Sequence, residues 1–154
     1  MTAITVRDAT LDDLETIVRF NGELARESEG IRLDRATLRA GVRALLDDAA
    51  KGRYFIAERA GEVAGQLMTT YEWSDWRNGL FLWIQSVYVA PEQRRAGVFR
   101  SLYRHVERLA LGPGHCGLRL YVHDHNDGAK ATYRRLGMVD GSYSVLQTPD
   151  RLGG

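Results

Sequence analysis

The chain is poor in the residues that build disulfides and membrane spans. Its 154 residues include one cysteine, Cys116, so neither an intrachain disulfide nor a cysteine-based metal cluster can form. It has no long apolar run, and its N-terminal segment predicts neither a signal peptide nor a membrane helix. Because a lone cysteine suits a reducing compartment, we expect a cytoplasmic protein that does not associate with membranes.

An excess of charge of one sign is also lacking. The 21 basic side chains are balanced by 20 acidic ones, which leaves a net charge of +1. Proteins that bind nucleic acid or anionic membranes usually carry a net basic face, so this balance argues against both kinds of partner. His123 and His125 lie two residues apart without a third ligand pattern, and we therefore expect no metal site.

What the chain does contain is the composition of an ordinary globular domain. Apolar residues make up 44% and charged residues 27%, and the length fits a single domain over residues 1–154. Alternating apolar residues predict strands, and apolar residues at helical spacing predict helices. The predicted strands cover residues 3–9, 54–59, 62–73, 80–90, 117–124 and 141–148, and the predicted helices cover residues 11–27, 35–50, 97–109 and 126–137.

The connections between these elements predict a mixed sheet. Ala60 and Gly61 separate two strands in the manner of a hairpin turn, which makes that pair antiparallel. The strand–helix–strand unit over residues 80–123 predicts a right-handed parallel crossover. The strand at 80–90 is almost continuously apolar, which indicates burial on both faces. We therefore predict an α/β (α+β) fold with helices on both faces of the sheet.

A short basic joint stands where the third helix is predicted to begin. Arg94 and Arg95 precede Gly97, after a strand that ends before Pro91. A helix start presents unpaired N–H groups and partial positive charge, and it can hold a phosphate group. No P-loop and no GxGxxG motif is present. On local grounds alone, the joint is either an anion site or a solvated arginine pair before a glycine turn.

Two spaced motifs carry a family resemblance. The first reads VAPEQRRAGVF at residues 89–99, and the second begins at Asn126, some thirty residues further on. In these motifs and in the order of its elements, the sequence resembles the GCN5-related N-acetyltransferases, the GNAT family of acyl-CoA transferases. The residues that match its patterns are Val89, Pro91, Arg94, Gly97, Asn126, Ala129, Tyr133, Gly137 and Met138.

The resemblance implies a GNAT fold, in which a mostly antiparallel sheet contains one splayed parallel pair. It also implies acetyl-CoA as the cosubstrate and no metal. The pantetheine arm would pair with the backbone of the strand at 87–89, and the diphosphate would lie on the amides of residues 94–100. The cosubstrate-binding residues implied in this way are Val87, Tyr88, Val89, Arg94, Arg95, Ala96, Gly97, Val98, Phe99, Arg100, Asn126, Ala129 and Tyr133.

Phe99 departs from the family pattern, which has glycine or alanine at that position. Backbone N–H donation does not require glycine there, so the resemblance still implies a diphosphate site. Helical spacing places Phe99 on the same side as Tyr103 and Val106, and we expect its ring to pack in the core.

The resemblance also implies the chemistry. An amine would attack the thioester directly, with an N–H near Val87 polarising the carbonyl and Tyr133 acting as general acid. The alternative for Tyr133 is a core tyrosine whose hydroxyl bonds a backbone carbonyl. Asn126 would bond the pantetheine arm, cap the following helix, or do both. The candidate general base is Glu72, and a water relay is the alternative.

The acceptor remains the most open part of the prediction. The resemblance places its pocket at the first two helices, their linker and a hairpin, and we expect the amine of a small molecule. Acetylation of a protein amine and a non-catalytic acyl-CoA-binding regulator are the alternatives, and the resemblance favours a homodimer. Acidic and aromatic side chains in these segments would suit a cationic amine, namely Glu23, Glu27, Glu29, Trp73 and Trp76.

Overall fold

The computed structural model describes residues 2–149, and the chain divides into two compact units at the Leu120–Tyr121 boundary. The first unit contains a five-stranded sheet and three helices, and the second contains one helix and an irregular C-terminal segment. The assignment of residues 1–154 to one domain stays a prediction. No helix among residues 2–149 combines the length and the apolar character needed to cross a bilayer.

The elements follow the predicted order as far as the fourth helix. The strands are β1 (Ile4–Asp8), β2 (Arg53–Arg59), β3 (Glu62–Ser74), β4 (Gly79–Val89) and β5 (His115–Leu120), and the helices are α1 (Leu14–Glu29), α2 (Arg35–Leu46), α3 (Val98–Ala110) and α4 (Asp127–Arg135). Single turns of 3-10 helix, Leu11–Asp13 and Pro91–Gln93, precede α1 and α3.

The sheet is mixed and mostly antiparallel, as predicted. Its strands lie in the order β1-β2-β3-β4-β5, and the first three pairings are antiparallel. β4 and β5 are parallel, because α3 returns the chain between them. The hairpin between β2 and β3 turns at Ala60 and Gly61, whose φ angles of 54° and 78° are those of a tight left-handed turn.

Helices cover both faces of this sheet. Side chains alternate between the faces along β2, so Tyr54 and Ile56 share one face and Phe55 lies on the other. Tyr54 and Ile56 pack into one core cluster with α1 and α2. The Phe55 ring lies 5.1 Å from that of His105 on α3. The prediction of helices on both faces is therefore confirmed.

The prediction of a strand at residues 141–148 is wrong. All residues of this segment are described by the structure, and none of them lies in a helix or strand. Tyr143 and Val145 alternate with polar residues as in a strand, but they are 81% and 60% exposed. Alternation creates a strand only where a neighbouring strand accepts its backbone hydrogen bonds, and the sequence pattern does not supply that neighbour. The predicted strand at 117–124 is also shifted, since β5 runs from His115 to Leu120.

Candidate functional site

A bulge interrupts β4 near its carboxyl end. Gln66 of β3 pairs with Tyr88, whereas Met68 pairs with Gln85, so two residues of β4 lie opposite one residue of β3. The first of the two is Ser86, whose φ of 49° lies in the left-handed region. An extra residue of this kind bends a strand and increases its twist. The bulge therefore redirects the last residues of β4.

The parallel pairing of β4 with β5 stops just before the bulge. The last register pair is Ile84 with Leu120, although β4 continues to Val89. Within residues 2–120, no strand pairs with that edge of β4 beyond Ile84. An edge of this kind presents backbone N–H and C=O groups that an extended ligand can pair with. Val87, Tyr88 and Val89 all lie on this open stretch.

The start of α3 has a backbone geometry that can hold an anion. Arg95 and Gly97 have φ angles of 63° and 86°, and no side chain caps the helix at Gly97. The first hydrogen bond of the helix runs from Ser101 N–H to the Gly97 carbonyl, 3.0 Å away. The N–H groups of the preceding turn therefore have no i−4 acceptor within the helix and can donate to an anion.

Two further details fix the neighbourhood of this turn. Val98 is almost completely buried, and a Cβ on Gly65 would lie 3.1 Å from its Cγ1 and 2.8 Å from the Tyr88 carbonyl oxygen. The glycine at position 65 thus allows the helix start to approach β3 and β4 closely. The Phe99 ring lies 6.2 Å from that of Tyr103, on the predicted side of α3, but it is only half-buried, so the predicted packing in the core is only partly met.

Arg94 differs from the other residues of the joint. Its N–H donates to the Pro91 carbonyl at 3.3 Å, so this amide is already used. Its guanidinium donates to the Val89 carbonyl at 3.0 Å and to Glu27 at 2.8 Å, and it lies over the Tyr88 ring. The Arg94 side chain therefore connects the joint to β4 and α1, whereas Arg95 and Arg100 are exposed.

Glu27 is the partner that joins α1 to this region. Its carboxylate accepts hydrogen bonds from Arg94 and, at 3.0 Å, from the Tyr88 hydroxyl. The Arg94 guanidinium is the main reason why the pKa of Glu27 lies below its ordinary value. Burial, together with the Glu27 carboxylate, raises the pKa of Tyr88. The charge of the Glu27 carboxylate is thus compensated by Arg94, and this ion pair connects α1 to the joint.

Glu72, the candidate base, is also engaged. Its Oε1 accepts hydrogen bonds from Trp83 Nε1 and from the Arg119 guanidinium, each at 2.8 Å. These donors lower the pKa of the Glu72 carboxyl. A carboxylate with a lowered pKa and two fixed donors is a weak proton acceptor. The contacts of Glu72 therefore favour a structural role over that of general base.

The second motif lies in the second unit. The Asn126 side chain accepts a hydrogen bond from the Ala129 N–H at 3.1 Å, so its predicted capping of the helix is confirmed. Tyr133 lies near the end of α4, and burial raises the pKa of its phenol. Gly137 follows with a φ of 107°, a left-handed position that suits glycine after a helix.

The candidate acceptor side chains fall into two groups. Glu23 forms an ion pair with Arg26, and Glu27 with Arg94, so two of the three acidic groups have cationic partners. Trp73 and Trp76, on the hairpin between β3 and β4, are 60% and 86% exposed. Large aromatic surfaces at this level of exposure suit contact with a ligand or another protein.

His123 and His125 lie close together. The rings of His123 and His125 lie 5.5 Å apart, and the His125 N–H donates to the His123 ring nitrogen at 3.2 Å. Among residues 2–149, no group of three or more His, Cys, Asp or Glu side chains is arranged to hold a metal ion.

A set of buried polar residues next to the bulge of β4 was not predicted from the sequence. Asn21, Tyr54 and Gln66 are 6%, 4% and 0% exposed, and they are linked by hydrogen bonds. Amide side chains at positions that face a core are costly unless they are hydrogen-bonded. Gln66 is the one polar residue in the stretch 63–68, and this was the signal available in the sequence.

Comparisons with known proteins agree with this geometry. The family model described as "Acetyltransferase (GNAT) family" matches residues 17–138. The thialysine N-epsilon-acetyltransferase of Sus scrofa is 29% identical, over 91% of this chain and 86% of that protein. A crystal structure of a "possible acetyltransferase" from Clostridium difficile 630 is 47% identical and has a TM-score of 0.91, covering 96% of this chain and 97% of that one.

One more distant structure shares the fold. It is a predicted acetyltransferase with acetyl-CoA from Clostridium acetobutylicum, which is 16% identical with a TM-score of 0.77. The match covers 95% of this chain and 96% of that chain.

Proposed function

This chain belongs to the acetyltransferase (GNAT) family and is an acetyl-CoA-dependent N-acetyltransferase, and we propose that it acetylates the amine of a small molecule. The observation that carries the proposal is the edge of β4 at residues 85–89, with which no strand within residues 2–120 pairs. Along the chain this edge is followed by the start of α3, whose first N–H groups have no acceptor within the helix. The edge of β4 suits an extended arm and the start of α3 suits an anionic group, and acetyl-CoA contains both.

In this proposal, the cosubstrate follows the chain from β4 into α3. The pantetheine arm pairs with the backbone of Val87, Tyr88 and Val89 as an added strand. The diphosphate lies on the N–H groups of Ala96 through Arg100, with the exposed side chains of Arg95 and Arg100 adding positive charge. The family resemblance assigns Asn126 and Ala129 to holding the arm. The relative named with acetyl-CoA supports this choice of cosubstrate.

The proposed reaction is a direct transfer in a ternary complex. The neutral amine attacks the thioester carbonyl, and the negative charge that develops on its oxygen is stabilised by the Val87 N–H. The carbon–sulfur bond then breaks, and Tyr133 gives its proton to the leaving thiolate. A phenol with an ordinary pKa already carries a proton at neutral pH, and burial raises the pKa of Tyr133 further, so this proton is available to the thiolate.

The proton lost by the amine needs an acceptor, and the contacts of Glu72 argue for water rather than for this carboxylate. We expect Glu72→Gln to lower kcat by less than about tenfold, because general-base catalysis typically contributes about 10²- to 10⁴-fold. The measurement is the pH profile of kcat/KM. A hundredfold loss, together with disappearance of the ascending limb, would assign the base to Glu72.

The acceptor proposal rests on charge and on the relatives. Proteins named for N-epsilon acetylation of thialysine match over most of this chain, and this supports a small molecule with an amine on a flexible arm. Glu29 is the last residue of α1, and a carboxylate there can attract a cationic amine, whereas Glu23 is already paired with Arg26. The exposed rings of Trp73 and Trp76 can contact the same cation.

The chain also has surface that suits self-association. Val139, Tyr143 and Leu146 are 88%, 81% and 95% exposed in the C-terminal segment. Exposed apolar side chains that cluster along a segment commonly mark protein–protein contacts. Their exposure supports the homodimer that the family resemblance implies.

Two measurements test the proposed function. Calorimetry should detect saturable binding of acetyl-CoA, and a panel of amines, followed by release of free CoA, should identify a small-molecule acceptor. The panel includes thialysine, lysine, polyamines and a lysine-containing peptide. Turnover of the peptide alone would replace the small molecule by a protein amine. Binding without turnover of any amine would favour a regulatory acyl-CoA-binding protein, and absence of binding would overturn both.

A further inference from the structure

Three polar side chains from three different elements meet at the bulge of β4. Gln66 Nε2 donates to Asn21 Oδ1 at 2.8 Å and to the Ser86 carbonyl oxygen at 3.1 Å. Asn21 Nδ2 donates to the Tyr54 hydroxyl at 3.0 Å. The network therefore contacts the main chain of Ser86.

Gln66 is the centre of this network, and its orientation is determined by its partners. Its NH₂ group faces two acceptors, so the amide oxygen Oε1 must occupy the other position. Oε1 is buried without a hydrogen-bond partner among the described residues. A buried acceptor without a donor is rare, because it costs stability. An apolar side chain would avoid this cost, so the useful contribution of Gln66 lies in what Nε2 binds.

The Gln66 side chain donates to the main-chain carbonyl of Ser86, and the direction of this carbonyl controls that of the next amide. The peptide unit between Ser86 and Val87 is planar and trans, so its C=O and N–H point in opposite directions. Once Gln66 fixes the carbonyl, the direction of the Val87 N–H is also fixed. Ser86 adopts a φ of 49°, which a non-glycine residue holds only with support from its surroundings.

We propose that Gln66 is a positioning residue for acetyl transfer: it holds the Ser86–Val87 peptide so that the Val87 N–H is aimed at the thioester carbonyl. Asn21 and Tyr54 act through Gln66 by keeping its amide in place. The inference rests on the proposed function, in which Val87 is the oxyanion donor. Preorganised donors of this kind accelerate a reaction because they need no rearrangement as the charge develops.

The test variant is Gln66→Met, which keeps the length of the side chain and removes Nε2. We expect kcat to fall by about 10- to 100-fold, because a misdirected oxyanion donor loses much of its effect, while the Kd of CoA changes by less than about twofold. The matched control is Thr69→Val on the same strand, a substitution of similar shape at another buried polar position, Thr69 being 1% exposed. Each variant is assayed well below its own Tm.

A spectroscopic measurement separates positioning from general loss of structure. The carbonyl stretch of bound [1-¹³C]acetyl-CoA reports the hydrogen bond to the thioester, and Gln66→Met should move it toward its value in free acetyl-CoA. Thr69→Val should leave it unchanged. Tyr54→Phe should shift it in the same direction as Gln66→Met, but by less, because Asn21 and Gln66 remain in place.

The amide resonance of Val87 in the ligand-free enzyme provides a readout that does not depend on turnover. An unchanged Val87 resonance in Gln66→Met, or a loss of kcat that Thr69→Val reproduces, would overturn the positioning role. If the wild-type enzyme acetylated no amine, the proposed function would fail instead. The Val87 resonance would still show whether Gln66 sets the orientation of this peptide.

Discussion

At the scale of single residues, Tyr133 carries the most direct prediction. Burial raises the pKa of its phenol, so the proton needed by the leaving thiolate is retained even as the pH rises toward 10.0, the ordinary value. Tyr133→Phe should therefore lower kcat by about 10²- to 10⁴-fold and leave the Kd of acetyl-CoA unchanged. Tyr143→Phe is the control, since Tyr143 is 81% exposed. Full turnover by Tyr133→Phe would remove the acid role.

Asp13 carries a prediction about stability. It accepts two hydrogen bonds from the Arg7 guanidinium, at 2.8 and 2.9 Å, and one from the Thr10 N–H at 2.8 Å. Burial by itself raises the pKa of Asp13, but these donors outweigh it, and the pKa lies below its ordinary value. A carboxyl with a lowered pKa stabilises the fold above its unfolded-state pKa, and this contribution is lost as the pH falls through the folded-state value.

Asp13→Asn should consequently lower the free energy of unfolding by about 1–3 kcal/mol at pH 7, because charge-assisted hydrogen bonds are lost from a buried group. Urea denaturation should show the difference shrinking as the pH falls below about 4, where the unfolded wild-type carboxyl becomes protonated. Asp12→Asn, at the exposed neighbouring position, should have little effect at either pH. An equal loss at both pH values would contradict the ionic origin of the effect.

At the scale of elements, the start of α3 can be tested through its glycine. Gly97 has a φ of 86°, and an added Cβ would meet only the Ile4 side chain at 4.0 Å, so space is available and backbone strain is the main cost. Gly97→Ala should destabilise the protein by about 1–2 kcal/mol and weaken acetyl-CoA binding, because the strained turn relaxes and moves its N–H groups.

Gly41→Ala is the matched control for that substitution. Gly41 lies inside α2 without a positive φ and with nothing within 4 Å of an added Cβ, so alanine there should stabilise the protein by about 0.5–1 kcal/mol. Thermal unfolding and calorimetry with acetyl-CoA measure both variants. Unchanged acetyl-CoA affinity in Gly97→Ala would show that the conformation of this turn does not set the diphosphate site.

The same scale shows what the sequence can predict. Val98, Leu102 and Val106 recur at helical spacing and are all buried, because a helix packed on a sheet needs one apolar stripe. The bulge in β4 could not be predicted in this way. Apolar residues stand on both sides of Gln85 and Ser86, and no glycine is present there to indicate a bulge. A bulge at a serine depends on the partner strand and on Gln66.

At the scale of the whole molecule, the residues of the two sequence motifs fall in different units. The α3 start and the open edge of β4 lie in the first, and Asn126 and Tyr133 lie in the second. General patterns left the joint at Arg94 to Gly97 open between an anion site and a solvated arginine pair, and only the family resemblance gave Tyr133 a chemical role. Helix caps and apolar spacing explain where Tyr133 lies in α4 and carry no information about acid catalysis.

The homodimer is a prediction at this scale, and it depends on the C-terminal segment. Tyr143 and Leu146 are more than four-fifths exposed, although residues of this size and apolarity are usually covered in a stable assembly. Light scattering after size-exclusion chromatography should give about twice the chain mass of 17.3 kDa. The double variant Tyr143→Ser, Leu146→Ser should give a monomer, because its contact surface loses most of its apolar area.

The matched control is Leu111→Ser, at a site that is 77% exposed in the first unit, and it should stay dimeric. A wild-type monomer at micromolar concentration, or a dimer that survives the double substitution, would contradict the role of this segment.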